Sequence, residues 1–324
     1  MSEATPALKV AAAASPRPGS PLDRLPPQSF FLVSAVFHYL GPSLAVVLFA
    51  RVDVLGVVWL RIASAAAVFA VWRRPWRLLL PCRAEDHPPA TFLGWLDRDS
   101  RRTLIALGAV LAAMNTVFYL AVDRLPLSTV GAIEFLGTVV LAVAGARTRR
   151  NAVALALTVA GVAAITTIRL AGQPLGFAFA FGNCILFMLY VLLGHQVANH
   201  RPDGADQSSA AGRHGGIDLL AVSMLLAALA VTPIGLADAL PAFTHPVLLL
   251  AGTGVGVCSS VIPYVTDQLA MRRLPRATFA LMLALLPVFA TIIGAIVLRQ
   301  IPSPRDITGI ALVTTGVAIH TEGK

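Results

Sequence analysis

Roughly ten blocks of about 17–25 mostly apolar residues run from Phe30 to His320, divided by short polar connections; each is long enough to cross a hydrocarbon core of about 30 Å as a helix rising about 1.5 Å per residue. Inside a bilayer each backbone amide has to bond within its own segment, so a closed set of helices is the natural solution. The expected fold is therefore an all-α polytopic membrane protein. Composition agrees: 57% of residues are hydrophobic and 13% charged, well away from the averages of a soluble domain.

The formal charge of +9 does not make a nucleic-acid binder. The basic residues sit in the connections between blocks, where they set orientation in a membrane. Cys82, Cys184 and Cys258 are odd in number and widely spaced, which gives neither a disulfide framework nor a zinc pattern. The seven histidines are scattered without ligand spacing. There is no serine elbow, phosphate loop or metalloprotease helix. The expectations are no catalytic residues, no metal and no cofactor.

The expected spans are 29–50, 54–72, 103–123, 126–146, 151–168, 175–196, 217–237, 246–268, 275–298 and 304–320. Residues 1–28, rich in Ala, Pro and Ser, read as a disordered tail. With that tail in the cytoplasm, nineteen of the twenty-five Lys and Arg residues fall on the inner side and five outside, Arg61 being within a span. The bias places both termini inside. Trp72 and Trp76 stand where an interfacial aromatic belt would be.

An internal repeat is visible. Leu120-Ala-Val-Asp-Arg-Leu-Pro126 matches Leu269-Ala-Met-Arg-Arg-Leu-Pro275, and the segment 156–163 matches 311–318, pairing Gly161 with Gly316. Each half, 29–168 and 175–320, would hold five helices and enter the membrane in the opposite sense. Inverted repeats of this kind place a substrate site near the midplane.

Charge inside a bilayer costs at least about 2.5–3.5 kcal/mol, so ionisable residues within spans are functional candidates. Arg61 lies seven residues into the second span and Glu134 eight into the fourth. At about 1.5 Å per residue both are about 10–12 Å deep, and Asn115 and Asn183 fall at the same level. Two readings stay open: an Arg61–Glu134 ion pair that fixes packing, or a polar cavity. In the second, Glu134 carries a proton or meets an ammonium group while Arg61 meets a carboxylate. Tyr119, one turn from Asn115, and Tyr264 would line the path. Tyr264 and Asp267 would sit near the inside mouth, Asp267 more as a helix-end residue facing Arg272 or Arg273 than as a functional one; His38 and His195 are expected as packing or interface residues, with a proton relay as the alternative. Gly252, Gly256, Gly161 and Gly316 read as sites of close helix packing.

The segments Met114-Asn-Thr-Val-Phe-Tyr-Leu-Ala121, Leu125-Pro126 and Gly131-Ala-Ile-Glu134-Phe-Leu-Gly137 resemble the EamA family of the drug/metabolite transporter superfamily. So do Trp59-Leu-Arg61, Trp72-Arg-Arg-Pro-Trp-Arg77, Ser259-Ser-Val-Ile-Pro-Tyr264 and Arg273-Leu-Pro-Arg-Ala-Thr-Phe279. The likeness covers about residues 30–320 and is greatest to the branch of bacterial inner-membrane amino-acid exporters. It implies two inverted five-helix repeats, with a cavity mainly between the third, fourth, eighth and ninth spans, and proton-driven efflux. Glu134 matches the family's acidic position. Two departures stand out: Leu286-Pro287 where the family usually has Glu-Pro, and Arg299-Gln300 where it has Gly-Glu. The expected function is export of a small zwitterion, a neutral amino acid such as threonine or homoserine, by proton antiport across the cytoplasmic membrane. Its partners are the substrate, protons and lipids, with no nucleic acid, and a homodimer stays open. The alternatives are efflux of drugs or of cationic or lipophilic metabolites, and an intramembrane enzyme acting on a lipid.

Overall fold

The computed structural model describes residues 25–75, 98–125, 130, 131, 133, 134, 148–165, 174–199, 216–286, 288, 289, 292, 293 and 303–319. Among these there are helices and no strands. In chain order they are α1 (Pro27–Leu48), α2 (Val54–Arg73), α3 (Arg98–Val122), α4 (Arg149–Ile165), α5 (Pro174–Ala198), α6 (Gly216–Phe243), α7 (Pro246–Met271), α8 (Arg276–Met282) and α9 (Pro304–Ile319). A helical stretch bearing Val130, Gly131, Ile133 and Glu134 lies between α3 and α4.

Four of these helices, α1, α5, α7 and α9, start on proline. Its fixed φ suits the first turn, and the N–H it lacks would have had no helical acceptor there. α2 closes on Arg74 in the left-handed region (φ 50°), whose N–H returns to the Ala70 carbonyl at 2.9 Å. α1 and α6 carry internal prolines, Pro42, Pro233 and Pro241, which packed helices in a membrane tolerate.

Six helices are long and apolar enough to cross a membrane: Pro27–Leu48, Val54–Arg73, Arg101–Val122, Pro174–Ala198, Gly216–Phe243 and Pro246–Met271. Their outward faces carry exposed Val47, Val71, Ile105, Leu229, Val247 and Leu250, which in water would be a liability and against lipid tails is not. The expected fifth and tenth spans correspond to α4 and α9, whose apolar lengths are shorter. The fourth span, 126–146, and the second half of the ninth lie largely outside the described residues. So do the tail, Trp76, Cys82 and most of the connections 73–102 and 197–216. Ten crossings are therefore not established by the described helices.

The helix pairs fall into a pattern. α1 packs on α7 and α5 on α3, α2 packs on α7 and α6 on α3, and α2 meets α6 as α4 meets α9. On the α4–α9 seam, a Cβ at Gly161 would come 2.6 Å from the Gly309 carbonyl oxygen and 2.7 Å from the Val313 nitrogen. A Cβ at Gly316 would come 2.6 Å from the Ala154 oxygen and 3.0 Å from the Thr158 nitrogen. One constant offset relates 154 to 309, 158 to 313 and 161 to 316, so each side of the seam presents equivalent positions to the other. Only glycine allows backbones this close. The α2–α6 seam runs antiparallel, with Trp59 Nε1 donating to Thr232 Oγ1 at 3.1 Å and Arg73 paired with Asp218.

Candidate functional site

α7 is interrupted. Val257–Val261 form a π-helical turn, followed by Pro263. The N–H that would ordinarily bond the Ser259 carbonyl four residues back belongs to Pro263, which has none. The freed oxygen accepts a hydrogen bond from the Arg61 guanidinium, Nη2 to O at 2.8 Å, while Arg61 Nε donates to Ser260 Oγ at 2.9 Å. A proline in one helix thus creates the seat for a cation on another.

The seat is built by close approach. A Cβ on Gly256 would come 2.6 Å from the Arg61 carbonyl oxygen, and one on Gly41 would come 2.8 Å from the Ser259 Cα. Both glycines are needed to bring α1 and α2 onto the turn. The Arg61 guanidinium also lies over the Tyr119 ring, 5.1 Å from its centre, a favourable cation–π arrangement.

A cavity of about 20 Å³ opens beside it, lined by Arg61, Asn115, Glu134, Asn183 and Tyr264, with His38, Pro42, Met114, Phe118 and Phe187 as its other walls. Water needs roughly 10–15 Å³ on this measure, so the space holds about one water and is too small for an amino acid. Asn115 Nδ2 donates to the Leu111 carbonyl at 2.6 Å and meets the Tyr264 hydroxyl at 3.1 Å. That hydroxyl also lies within donating distance, 3.2 Å, of Asn115 Oδ1. Asn183, wholly buried, faces the Glu134 carboxyl, yet neither of its amide atoms closes a well-aligned hydrogen bond with a described residue.

Five of the six residues singled out in the sequence therefore line one cavity, and the sixth, Tyr119, lies against Arg61. Arg61 and Glu134 are each only 6% exposed. Arg73 pairs with Asp218 and Arg124 with Asp123; the Arg61 guanidinium is bonded to α7 instead of to Glu134. The carbonyl and hydroxyl that hold Arg61 bring no countercharge, and the Glu134 carboxyl lines the same small cavity.

The expectation for Asp267 is corrected. It does not face Arg272 or Arg273 at a helix end: it is buried and accepts from Ser34 Oγ at 2.6 Å and the Tyr190 hydroxyl at 2.9 Å. Arg273 turns the other way, donating to the Leu25 carbonyl at 3.1 Å and covering the Phe30 ring. His38 lines the cavity, its ring edge-on to Tyr39 and Phe187. His195 Nε2 lies 3.1 Å from the Leu274 carbonyl. Cys184 is buried and Cys258 half-buried. Sequence reasoning missed Ser259 and Ser260 as the Arg61 seat. The available signal was Pro263, one helical turn after Ser259.

Residues 207–321 match the model of the EamA-like transporter family. The threonine/homoserine exporter RhtA of Escherichia coli strain K12 is 28% identical over 305 residues, covering 91% of this chain and 92% of that protein. The exporter of the same name from Salmonella typhimurium strain SL1344 is 29% identical over 266 residues, 80% of this chain and 79% of its own. A solved crystal structure shares the fold with a TM-score of 0.59 at 16% identity, over 90% of this chain and 96% of its own. The chain is homologous to the RhtA exporters along most of its length, and its residues 207–321 match the EamA-like transporter family.

Proposed function

We propose that this chain is a secondary exporter of small zwitterionic metabolites, of which threonine and homoserine are the first to test, running in exchange for protons. Ten spans cross the cytoplasmic membrane as two inverted five-helix halves, 29–168 and 175–320, with both termini inside. Arg61 and Asn115 orient the substrate carboxylate, Glu134 binds the ammonium group or carries the proton, and Asn183, Tyr119 and Tyr264 line the path.

The observation that carries the reading is the small polar cavity, with an arginine seated on one side and a carboxyl on the other. At about 20 Å³ it is smaller than an amino acid, so loading and release both demand that the helices part. The like-with-like packing of α4 on α9, and the exchange-related pairs α1–α7 and α5–α3, support a fold in which one half rocks against the other. The names of the RhtA relatives support the substrate class. The driving force suffices: about 2.3 kcal/mol per charge per 100 mV sustains roughly a 40–50-fold gradient for each net charge moved.

The test is transport by the purified protein in proteoliposomes. Labelled threonine should exchange with internal threonine and accumulate when a pH gradient is imposed. Glu134→Gln should abolish gradient-driven accumulation while leaving protein levels near normal. Undiminished accumulation by that variant would remove Glu134 from the mechanism. A wild-type protein that ignores amino acids but expels lipophilic cations would overturn the substrate class.

A further inference from the structure

Asp267 is a second buried carboxyl within a membrane-crossing helix, and the exporter reading gives it no task. It lies on α7 one turn beyond Tyr264 and is 3% exposed. Its two oxygens are divided between helices: Oδ1 accepts from Ser34 of α1, Oδ2 from Tyr190 of α5. Neither partner is a cation.

Among the described residues, the charged and titratable groups on the surrounding elements are turned elsewhere. On α1, His38 faces Tyr39 and Phe187. On α5, His195 meets the Leu274 carbonyl. On α6, Asp218 pairs with Arg73. On α8, Arg276 is exposed, and the Phe279 ring meets Phe31. Just past α7, Arg272 is exposed and Arg273 bonds Leu25. On α7 itself Tyr264 is the nearest titratable group, its ring 5.4 Å from that of Tyr190.

A carboxylate kept only for structure inside a membrane is ordinarily matched by a cation, because the charge is otherwise costly. Hydroxyl partners are different. Each donates to a carboxylate and can equally accept from a carboxylic acid, so Ser34 and Tyr190 can serve both protonation states. A lysine or arginine could serve only one.

We infer that Asp267 is a second proton-carrying site, distinct from Glu134 and placed between the central cavity and the end of α7. It stands four positions before Met271, so it lies about 6 Å from that helix end. Tyr264 joins the two regions, with its hydroxyl on Asn115 in the cavity and its ring against Tyr190. In each cycle the carboxylate gains one proton from the cavity side and releases it to water at the far side. No bond other than O–H is made or broken. Ser34 and Tyr190 are positioning residues that hold the carboxyl in either state.

The inference rests on the proton-coupled exporter reading, and one set of proteoliposome measurements separates the two. Wild type, Asp267→Asn, Asp267→Glu and Tyr190→Phe are compared for threonine exchange without a gradient and for accumulation driven by a pH step. Asp267→Asn should exchange at close to the wild-type rate but lose the roughly tenfold accumulation that one proton per substrate sustains across one pH unit. Asp267→Glu should restore it, and Tyr190→Phe should move the pH at which accumulation is half-maximal. Wild-type accumulation and pH profile in Asp267→Asn would overturn the assignment alone. Loss of exchange and accumulation together, without rescue by Asp267→Glu, would make Asp267 a structural latch and overturn it too. A wild type that moves no threonine in either assay would overturn the exporter reading and this site with it.

Discussion

The α4–α9 seam allows a cycle of substitutions whose outcome follows from distances. In Gly161→Ala the new Cβ would stand 2.6 Å from the Gly309 oxygen, about 0.8 Å short of the 3.4 Å where ordinary contact begins. The obstacle is backbone, so no rotamer change relieves it, and the helices have to part. Gly316→Ala meets the Ala154 oxygen at the same 2.6 Å. Overpacking of this kind costs typically about 1–3 kcal/mol per site. Both clashes lie on one antiparallel seam, so the separation forced by the first methyl makes room for the second. The double variant should then cost less than the two singles combined, by at least about 0.5 kcal/mol, the usual size of coupling between residues in contact. The assay is reversible unfolding of purified protein in mixed micelles, followed by tryptophan fluorescence for wild type, both singles and the double. Strict additivity, or single variants as stable as wild type, would refute the reasoning and remove the seam as a like-with-like contact.

Removing the Ser260 hydroxyl in Ser260→Ala takes from Arg61 a charge-assisted hydrogen bond worth about 1.5–3 kcal/mol; the Km for substrate should rise about tenfold or more with little change in maximal rate, read from concentration-dependent exchange. Tyr264→Phe leaves Asn115 Oδ1 without its hydroxyl donor, and intramembrane hydrogen bonds average about 0.6 kcal/mol, so unfolding in micelles should show a loss of that order. Asp218→Asn should be nearly silent, under about 1 kcal/mol and smaller in high salt, because the Arg73 side chain of that pair is 31% exposed; a large, salt-independent loss in the same unfolding measurement would contradict this.

Much of the fold was readable because the membrane fixes length. The expected spans 29–50, 54–72, 175–196 and 246–268 fall within a few residues of α1, α2, α5 and α7. Depth was readable for the same reason: a fixed rise per residue put Arg61, Asn115, Glu134 and Asn183 at one level, and all four line one cavity. Rotation about the helix axis was not readable, since it depends on which neighbours pack where. From sequence Arg61 could therefore pair with Glu134 or face a cavity, and it is seated on Ser259 and Ser260. Asp267 looked like a helix-end residue because Arg272 and Arg273 follow it in sequence. In space it is turned inward, toward Ser34 and Tyr190.

The π turn ties these observations together. Ahead of it, Gly256 of α7 meets the Arg61 carbonyl and Ser64, as Gly108 of α3 meets the Ser223 carbonyl and Leu226. One offset carries Arg61 and Ser64 to Ser223 and Leu226. After the turn, the sequence repeat pairs Leu120 with Leu269. The spacing from Gly108 to Gly256 is one residue shorter than that from Leu120 to Leu269. A π turn adds one residue to a helix, and α3 shows none between Gly108 and Leu120. The register slip and the π turn are thus the same event. It falls where the second half supplies Ser259 and Ser260 to Arg61, while Ser223, the residue matching Arg61, merely donates to the Leu104 carbonyl at 3.1 Å. One inserted residue makes the two halves unequal at the cavity, and the guanidinium sits on the side that received it.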